Sequence, residues 1–227
     1  MFNLYYIERK SFTVTDGYKN CQGEIILKRL FDFICSLVMI IILLPLFFLI
    51  GLSIKIEDKG PMFFKQDRLG KEGKIFKIYK FRTMIVNAEK VGTGLSTFEG
   101  DPRVTKIGRF LRKTSLDEIP QLINILKGDM SFIGPRPPVP YHPRKIHDYN
   151  KQQKLRFNVR PGISGYAQVK GRNSLTWDER IEYDIQYVKN QSFFLDFKIA
   201  VLTVVKIFKR EDIHGPNRRN GMKDKVN

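Results

Sequence analysis

The residue types best suited to chemistry in this chain are two adjacent carboxylates, Asp117 and Glu118. A carboxylate kept ionised by nearby cations can ligate Mg²⁺ through its oxygens. It can also attack phosphorus and form an acyl phosphate, as in aspartyl-phosphate enzymes. The basic residues Arg109, Arg112 and Lys113 precede the pair and favour its charged form. The pair is therefore a candidate catalytic and metal-binding site.

The same pair has a structural alternative, because Ser115 and Glu118 match the spacing of a helix capping box. Pro120 weakens this alternative, since a helix begun at Ser115 would place the proline where it removes a hydrogen bond. Proline is favoured in the first turn of a helix. We therefore expect a short helix over residues 120–127, ended by Gly128, with both carboxylates in the loop before it.

A set of cationic side chains could bind phosphate beside the carboxylates. Arginine forks match phosphate oxygens, and cationic clamps stabilise phosphoryl transfer. Each arginine alone is more often a surface residue, but together they fit a diphosphate substrate. The sequence has no G-x-x-x-x-G-K-[ST] phosphate loop and no G-x-G-x-x-G after a strand. The candidates for substrate binding are Lys80, Arg82, Arg112, Arg136 and Arg172.

A predicted helix over residues 103–113 leads into the carboxylate pair, with apolar residues on one face. Basic residues recur at every third position on another face. Such a stripe is either a solvated surface or a contact with lipid headgroups or a pyrophosphate. Its members are Arg103, Lys106, Arg109 and Arg112.

The composition of the chain points to a polyanionic partner. The 227 residues include 40 lysines and arginines against 23 aspartates and glutamates, a formal net charge of +17. Such a balance suits nucleic acid, anionic lipid or a phosphorylated substrate, and a long apolar segment favours the last two. Cys21 and Cys35 give no disulfide framework, and no histidine pairs with a cysteine at zinc-ligand spacing.

The element that must position this chemistry is an uncharged apolar segment, residues 33–54, with Pro45 near its middle. As one straight helix it would reach about 33 Å, enough to cross a hydrocarbon core of about 30 Å. Pro45 removes a hydrogen bond, and each arm alone would reach only roughly 15–18 Å. Basic residues, which mark the cytoplasmic side, flank both ends, from Lys28 and Arg29 before it to Lys55 after it. The flanks favour a re-entrant hairpin with both ends cytoplasmic; a kinked span and a buried core helix are the alternatives.

The rest of the chain predicts an α-rich α+β fold with a small β element. Two runs rich in Phe, Ile and Tyr, at residues 62–69 and 74–84, are typical of a β-hairpin. Further helices are expected at 144–157, 176–189 and 193–210, the last lying on the bilayer or packed on the domain. The predicted division is a tail (1–26), a membrane element (27–58), a cytoplasmic catalytic domain with interfacial helices (59–213) and a second tail (214–227).

Several motifs between about residues 25 and 213 occur together in one known group of proteins. They are K-R-x-x-D at 28–32 before a proline-broken apolar segment, K-F-R-T-M at 80–84, R-K-T-S-L-D-E-I-P-Q at 112–121, G-P-R-P at 134–137 and R-P-G-I-S-G at 160–165. On these motifs the chain resembles the bacterial sugar transferase family, monotopic polyprenyl-phosphate phosphoglycosyl transferases. It resembles the compact, single-domain form of the family, without a multi-span N-terminal region.

The resemblance implies a reaction at the bacterial inner membrane. A sugar-1-phosphate would pass from a UDP-sugar to polyprenyl phosphate, usually undecaprenyl phosphate, with release of UMP and with Mg²⁺ required. Asp117 matches the family nucleophile, which forms a covalent phosphosugar in a ping-pong scheme, and Glu118 matches its dyad partner, which assists metal binding or orientation. Arg112 matches an arginine near the substrate phosphate. The resemblance also implies a re-entrant helix in the bilayer, a cytoplasmic active site and possible downstream glycosyltransferases as partners.

Two details qualify the resemblance. The family commonly has serine before the proline of the break, where this chain has Leu44. Residues 171–177, followed by Glu182 and Asp184, resemble members that use N-acetylated amino sugars, so these two acids join the substrate-binding candidates. The alternative function is a membrane-tethered basic scaffold that binds anionic lipid or nucleic acid. One apolar segment is too few for a channel unless many copies assemble.

Overall fold

The computed structural model describes residues 22–94, 97–98, 100–171 and 174–209. Within these ranges helices dominate, with small two-stranded sheets, which confirms the predicted α-rich class in outline. Most of the first predicted tail and all of the second lie outside the described residues. The helices are α1 (Gln22–Glu57), α2 (Lys106–Thr114), α3 (Gln121–Lys127), α4 (Tyr166–Lys170), α5 (Trp177–Lys189) and α6 (Phe193–Lys209). The strands are β1 (Phe63–Leu69), β2 (Ile75–Phe81), β3 (Ser131–Ile133) and β4 (Gly162–Ser164).

The apolar helix α1 spans 36 residues and stays helical through Pro45. Among the described helices it is the one long and apolar enough to cross a membrane, by length and composition. Only 11% of its most apolar window is buried against the rest of the protein. Since no interruption of the helix is seen at Pro45, the re-entrant hairpin stays a prediction.

One flank of α1 packs on the rest of the chain, and the opposite flank is exposed. The exposed flank is apolar, with Ile42 at 68% and Phe48 at 70% of full exposure. The packed flank contributes to two apolar clusters, which bury the inner side of the helix in the domain. They contain Ile50, Ile54, Phe81 and Leu111 toward its C-terminal end, and Ile78, Leu122, Ile125 and Met130, with Ile40 and Leu43 packed on them, near its middle.

Polar contacts fix the N-terminal part of α1 to the domain. Arg29 donates to the carbonyl oxygens of Ile125 and Leu126, at 2.6 and 2.9 Å, in the last turn of α3. A guanidinium at this position satisfies helix-end carbonyls and complements the helix dipole. Lys28 forms an ion pair with Asp196 of α6. This end of α1 therefore ties α3 and α6 together.

The C-terminal end of α1 contacts the same domain. The Glu57 carboxylate accepts hydrogen bonds from the backbone N–H groups of Lys106 at 2.7 Å and Ile107 at 2.9 Å, in the first turn of α2. Thr105 caps that helix by accepting from the Gly108 N–H at 2.9 Å. Both ends of the apolar helix thus rest on one domain.

The predicted β-hairpin is confirmed. β1 and β2 pair antiparallel, from Phe63 opposite Phe81 to Leu69 opposite Ile75. Because side chains alternate along a strand and cross-strand partners share a face, Arg68 lies on the same face of the hairpin as Lys80.

The short parallel pair of β3 and β4 was not expected from the sequence. It joins the chain before Gly134 to the turn-rich stretch at residues 160–165. The two segments touch at glycines: a Cβ on Gly162 would lie 2.1 Å from the backbone nitrogen of Gly134. Only residues without a side chain allow this approach, which places the proline-rich loop after Gly134 beside Arg160.

The C-terminal helices match the prediction, whereas the helix expected at residues 144–157 is wrong. α5 begins with a capping box between Thr176 and Glu179, and α6 leaves Phe194 at 77% exposure. Residues 144–157 instead form two short 3₁₀ turns, at Ile146–Asp148 and Gln153–Phe157. Side-chain bonds to the backbone, such as the Asn150 Oδ1 accepting from the Gln153 N–H at 2.8 Å, compete there with helical hydrogen bonds.

Candidate active site

Asp117 and Glu118 lie on a single 3₁₀ turn, Leu116–Glu118, between α2 and α3. Ser115 ends α2 in the left-handed region, with a φ of 59°. Pro120 immediately precedes α3. The predicted position of both carboxylates in a loop just before a helix ended by a glycine is therefore confirmed.

Glu118 is held by two cations at one oxygen. Its Oε1 accepts from the Lys80 Nζ at 2.7 Å and from the Arg136 Nη2 at 2.8 Å. Burial alone would raise the pKa of the Glu118 carboxyl, but Arg136 and Lys80 together hold that pKa well below its usual range. The structure therefore brings together three residues that the sequence predicted separately, with Glu118 ionised.

Asp117 is half-buried, and its carboxylate accepts no hydrogen bond from the described residues. Burial, with a smaller contribution from the Glu118 charge, raises the pKa of Asp117 above its ordinary value, while Lys80 and Arg112 oppose the rise. The carboxylate oxygens are consequently available to an incoming group. Cations that favour the ionised form surround them.

Arg112 reaches this site because α2 lies close against the end of the hairpin. Its Nε donates to the Thr83 Oγ1 at 2.9 Å. The close packing depends on Gly108, where a Cβ would lie 2.0 Å from the Thr83 carbonyl oxygen. Burial lowers the pKa of Arg112, and attraction to Asp117 is the largest effect in the opposite direction. Arg112 thus interacts with Asp117, and its predicted place near a substrate phosphate stays a prediction.

The basic stripe expected at every third residue is only partly formed. Arg103 precedes α2 rather than lying on it, and it is 5% exposed. Its Nε and Nη2 donate to the Asp101 carboxylate at 2.9 and 2.6 Å, and its Nη1 donates to the Ala88 carbonyl at 3.0 Å. The prediction that Arg103 faces lipid or pyrophosphate is therefore wrong, because it ties a loop together inside the domain. Lys106 and Arg109 are exposed.

Two further sequence candidates lie in buried ion pairs. Arg82 is 6% exposed and donates to the Asp58 carbonyl at 2.6 Å, with the Asp58 carboxylate at 3.3 Å. Asp184 is 2% exposed and binds Arg156 across 2.7 Å. Burial raises the pKa of Asp184 to about 6, against the attraction of Arg156.

The last two candidates have no described contact with the carboxylate pair. Glu182 is exposed on α5. Arg172 lies outside the described residues.

Arg156, which the sequence interpretation passed over, connects the Asp184 pair to the site. Its Nη2 also donates to the backbone carbonyl of Arg136 at 3.0 Å. Its guanidinium lies among aromatic rings, with the Trp177 ring centroid 5.0 Å away. In the sequence Arg156 stands in a polar, basic stretch without the glycine and proline neighbours that mark Arg136, so no local signal distinguishes it.

A magnesium ion, which the family resemblance implies, fits the donors at this turn. No group of three or more His, Cys, Asp and Glu side chains suited to a metal occurs among the described residues. Mg²⁺, however, commonly binds one or two carboxylates together with substrate phosphates and water. The free Asp117 carboxylate and the Glu118 Oε2, which accepts no hydrogen bond from the described chain, provide such a pair.

Known proteins similar to this chain are sugar transferases. The model of the bacterial sugar transferase family matches residues 23–210. An uncharacterized sugar transferase of Bacillus subtilis (strain 168) is 43% identical over 193 residues, covering 85% of this chain and 92% of that protein.

Two further relatives have names that state a reaction. The UDP-glucose:undecaprenyl-phosphate glucose-1-phosphate transferase of Escherichia coli (strain K12) is 40% identical over 189 residues, covering 81% of this chain and 40% of that protein. The UDP-N-acetylgalactosamine-undecaprenyl-phosphate N-acetylgalactosaminephosphotransferase of Aeromonas hydrophila is 38% identical over 221 residues. The match covers 88% of this chain and 51% of that protein. The chain therefore spans about half or less of the length of these two relatives.

Proposed function

The chain belongs to the bacterial sugar transferase family, and we propose that it transfers a sugar-1-phosphate from a UDP-sugar to polyprenyl phosphate, with undecaprenyl phosphate as the natural acceptor. One observation carries this proposal above the others. The half-buried Asp117 carboxylate accepts no hydrogen bond from the described residues and is faced by Lys80 and Arg112. A carboxylate so placed suits attack on a phosphate that the same cations bind.

The transfer proceeds in two displacements at one phosphorus atom. An Asp117 oxygen attacks the β-phosphorus, the bond from that phosphorus to the bridging oxygen breaks, and UMP leaves with the electron pair. An oxygen of the lipid phosphate then attacks the same phosphorus, and the Asp117 carboxylate is regenerated. Lys80 and Arg112 bind and orient the phosphate, while Arg136 holds Glu118 beside it.

Asp117 and Glu118 would also hold the Mg²⁺ ion. When bound, the ion neutralises charge on the diphosphate. Chelation should abolish UMP release, and added Mg²⁺ should restore it.

The donor sugar is proposed to be an N-acetylated amino sugar. This rests on the resemblance of residues 171–177, with Glu182 and Asp184 after them. The named relatives use glucose and N-acetylgalactosamine donors. A panel of UDP-sugars measured at equal concentration decides between the two classes. A higher kcat/KM for UDP-glucose than for every amino sugar would refute the proposal.

We further propose that both ends of α1 lie at the cytoplasmic face of the bacterial inner membrane, as in a re-entrant insertion. From Lys28 to Glu57 a straight helix would extend about 44 Å. Both residues nevertheless bind the same domain. If α1 crossed the bilayer, that domain would have to follow it through the hydrocarbon, at the expense of desolvating many charged groups. The exposed apolar flank of α1 remains for the lipid.

The reaction is tested with detergent-solubilised protein, Mg²⁺, a UDP-sugar and polyprenyl phosphate, by measuring UMP. We expect Asp117→Asn to abolish release and Asp67→Asn, an exposed carboxylate paired with Lys77, to leave it unchanged. Mass spectrometry after UDP-sugar alone should detect a phosphosugar on Asp117. Full activity of Asp117→Asn would rule out this mechanism, and absence of the adduct under rapid quench would indicate direct displacement.

The topology is tested in intact cells with single cysteines near residues 10 and 220, in a variant lacking Cys21 and Cys35. A membrane-impermeant reagent should label neither site until the cells are opened. Labelling of one site alone in intact cells would indicate a span and overturn the re-entrant insertion.

A further inference from the structure

Arg68 is a half-buried cation close enough to Arg136 and Glu118 to interact with their charges, and the proposed transfer gives it no role so far. It lies on the face of the hairpin that also carries Lys80. Its Nη1 donates to the Pro137 carbonyl at 3.0 Å, and its Nη2 donates to the Gln66 Oε1 at 2.5 Å. Its Nε is buried and donates to no described residue. The guanidinium therefore has one buried N–H, at Nε, that could donate a hydrogen bond to a ligand.

The electrostatic surroundings of Arg68 are those of an anion site. Among the described residues it forms no ion pair with a carboxylate. Burial first and repulsion from Arg136 second lower the pKa of Arg68 to about 10, so it remains charged at neutral pH. Glu118, which binds Arg136, and Glu89 attract Arg68 from a distance without pairing with it. Keeping a desolvated cation in this position is unfavourable unless an anion binds there.

The charge balance at the turn favours an added anion. Lys80, Arg112 and Arg136 act on the carboxylate pair, and Arg68 is attracted by Glu118 and Glu89. The side-chain cations at this turn therefore outnumber the carboxylates. A nucleoside diphosphate sugar carries one negative charge on each of its phosphates, and arginine forks match phosphate oxygens.

We propose that Arg68, together with Arg136, binds the α-phosphate of the UDP-sugar and stabilises UMP as it leaves. This inference rests on the proposed transfer and adds the leaving-group half of the site. Lys80 and Arg112 serve the β-phosphorus attacked by Asp117. When the bond to the bridging oxygen breaks, that oxygen keeps the electron pair and becomes an additional anionic oxygen of UMP. Arg68 donates to the phosphate that gains this charge.

The test compares Arg68→Ala and Arg68→Lys with Lys77→Ala, a lysine on the opposite face of the same hairpin that pairs with Asp67. UMP binding is measured by calorimetry on the protein in detergent. Loss of a hydrogen-bonded charge should weaken UMP binding about 10- to 100-fold in Arg68→Ala. Arg68→Lys should lose less, because it keeps the charge without the fork. Lys77→Ala should bind UMP as the unaltered protein does.

The two half-reactions separate binding from support of the loop at Pro137. Formation of the phosphosugar from UDP-sugar should slow in both Arg68 variants, while reaction of the preformed phosphosugar with polyprenyl phosphate should keep its rate. Equal slowing of both halves, or unchanged UMP affinity in the folded Arg68→Lys variant, would overturn the inference. If UMP binding depends on Arg68 but no sugar-1-phosphate is transferred, the nucleotide site stands and the proposed transfer fails.

Discussion

Arg156 donates through its Nη2 to the backbone carbonyl of Arg136 across 3.0 Å, and the Arg136 side chain in turn binds Glu118. The same Nη2 binds Asp184 at 2.7 Å. A buried ion pair between α5 and the turn before β4 therefore supports the backbone of Arg136 at the candidate active site. Asp184, selected from the sequence as a substrate ligand, is therefore linked to Arg136 through Arg156 from inside the domain.

Replacing Arg156 by lysine should lower activity through Arg136. A lysine keeps the charge, but its ammonium ends one bond short of the Nη2 that makes both contacts, and it lacks the planar group that lies among the aromatic rings. We expect kcat/KM to fall about tenfold or more, as for the loss of one well-oriented hydrogen bond to a charged group. Arg144→Lys, at an exposed pair with Asp178, is the matched control. Equal activity of the Arg156 and Arg144 variants would show that Arg136 holds its place without this contact.

Asp184 should make stability depend on pH in a recognisable direction. Its pKa is raised to about 6 from an ordinary 3.8. The folded protein therefore binds its proton more tightly than the unfolded chain, so this stabilisation is complete below pH 4 and is lost as the pH rises through 6. The Asp184→Asn variant lacks that dependence. The melting temperature of the unaltered protein minus that of Asp184→Asn should fall between pH 4 and pH 7; a constant difference would contradict the assignment.

Lys80 should set the acid limb of the activity profile. Burial raises the pKa of Asp117, and Lys80 is the largest opposing effect. In Lys80→Met the pKa of Asp117 rises further, so less nucleophile is ionised at a given pH. The acid limb of kcat/KM should move to higher pH, apart from any loss of overall rate. Lys77→Ala should leave the limb in place, and an unmoved limb in Lys80→Met would mean that another group controls it.

Gly108→Ala should destabilise the protein although alanine is the better helix former. In a solvent-exposed helix this change would raise the free energy of unfolding by up to about 1 kcal/mol. Here the new Cβ would meet the Thr83 carbonyl 2.0 Å away, and relieving that overlap costs about 1–3 kcal/mol. The helix would shift and carry Arg112 with it. We expect a lower melting temperature and lower activity.

Gly51→Ala in α1 is the comparison for this effect. There the nearest atom is the flexible Met62 side chain rather than backbone, so the change should be tolerated better. A Gly108→Ala variant as stable as Gly51→Ala would show that α2 can adjust.

The secondary-structure elements that depend on residues close together in the sequence could be predicted from it. The hairpin follows from two β-rich runs around glycines, and α3 follows from Pro120 and Gly128. The position of the carboxylates before α3 followed from the same two signals. These features depend on neighbours in sequence, which is why residue spacing sufficed.

The features that depend on distant contacts were not predictable. β3 and β4 are three residues long and pair across a long separation, made possible by two glycines in contact. In a continuous strand Lys80 and Arg82, two residues apart, would share one face. The strand instead ends at Phe81, and the Arg82 side chain pairs with Asp58. Arg103 looked like part of a helical stripe, although Asp101 two residues earlier is the partner that buries it. The alternation of side chains along the two predicted strands was the sequence signal that could have placed Arg68 on the same face of the hairpin as Lys80.

The hydrogen bonds from Arg29 to the last turn of α3 have a consequence for the proposed enzyme. One end of this seven-residue helix is bound to α1, and the turn that holds Asp117 precedes the other end. The helix thus separates α1 contacts at one end from the Asp117 turn at the other by about 10 Å. Adding one residue to it would advance Asp117 by about 1.5 Å and rotate it by about 100°. In the proposed transfer, the length of one short helix would therefore set the distance between Asp117 and the apolar helix α1.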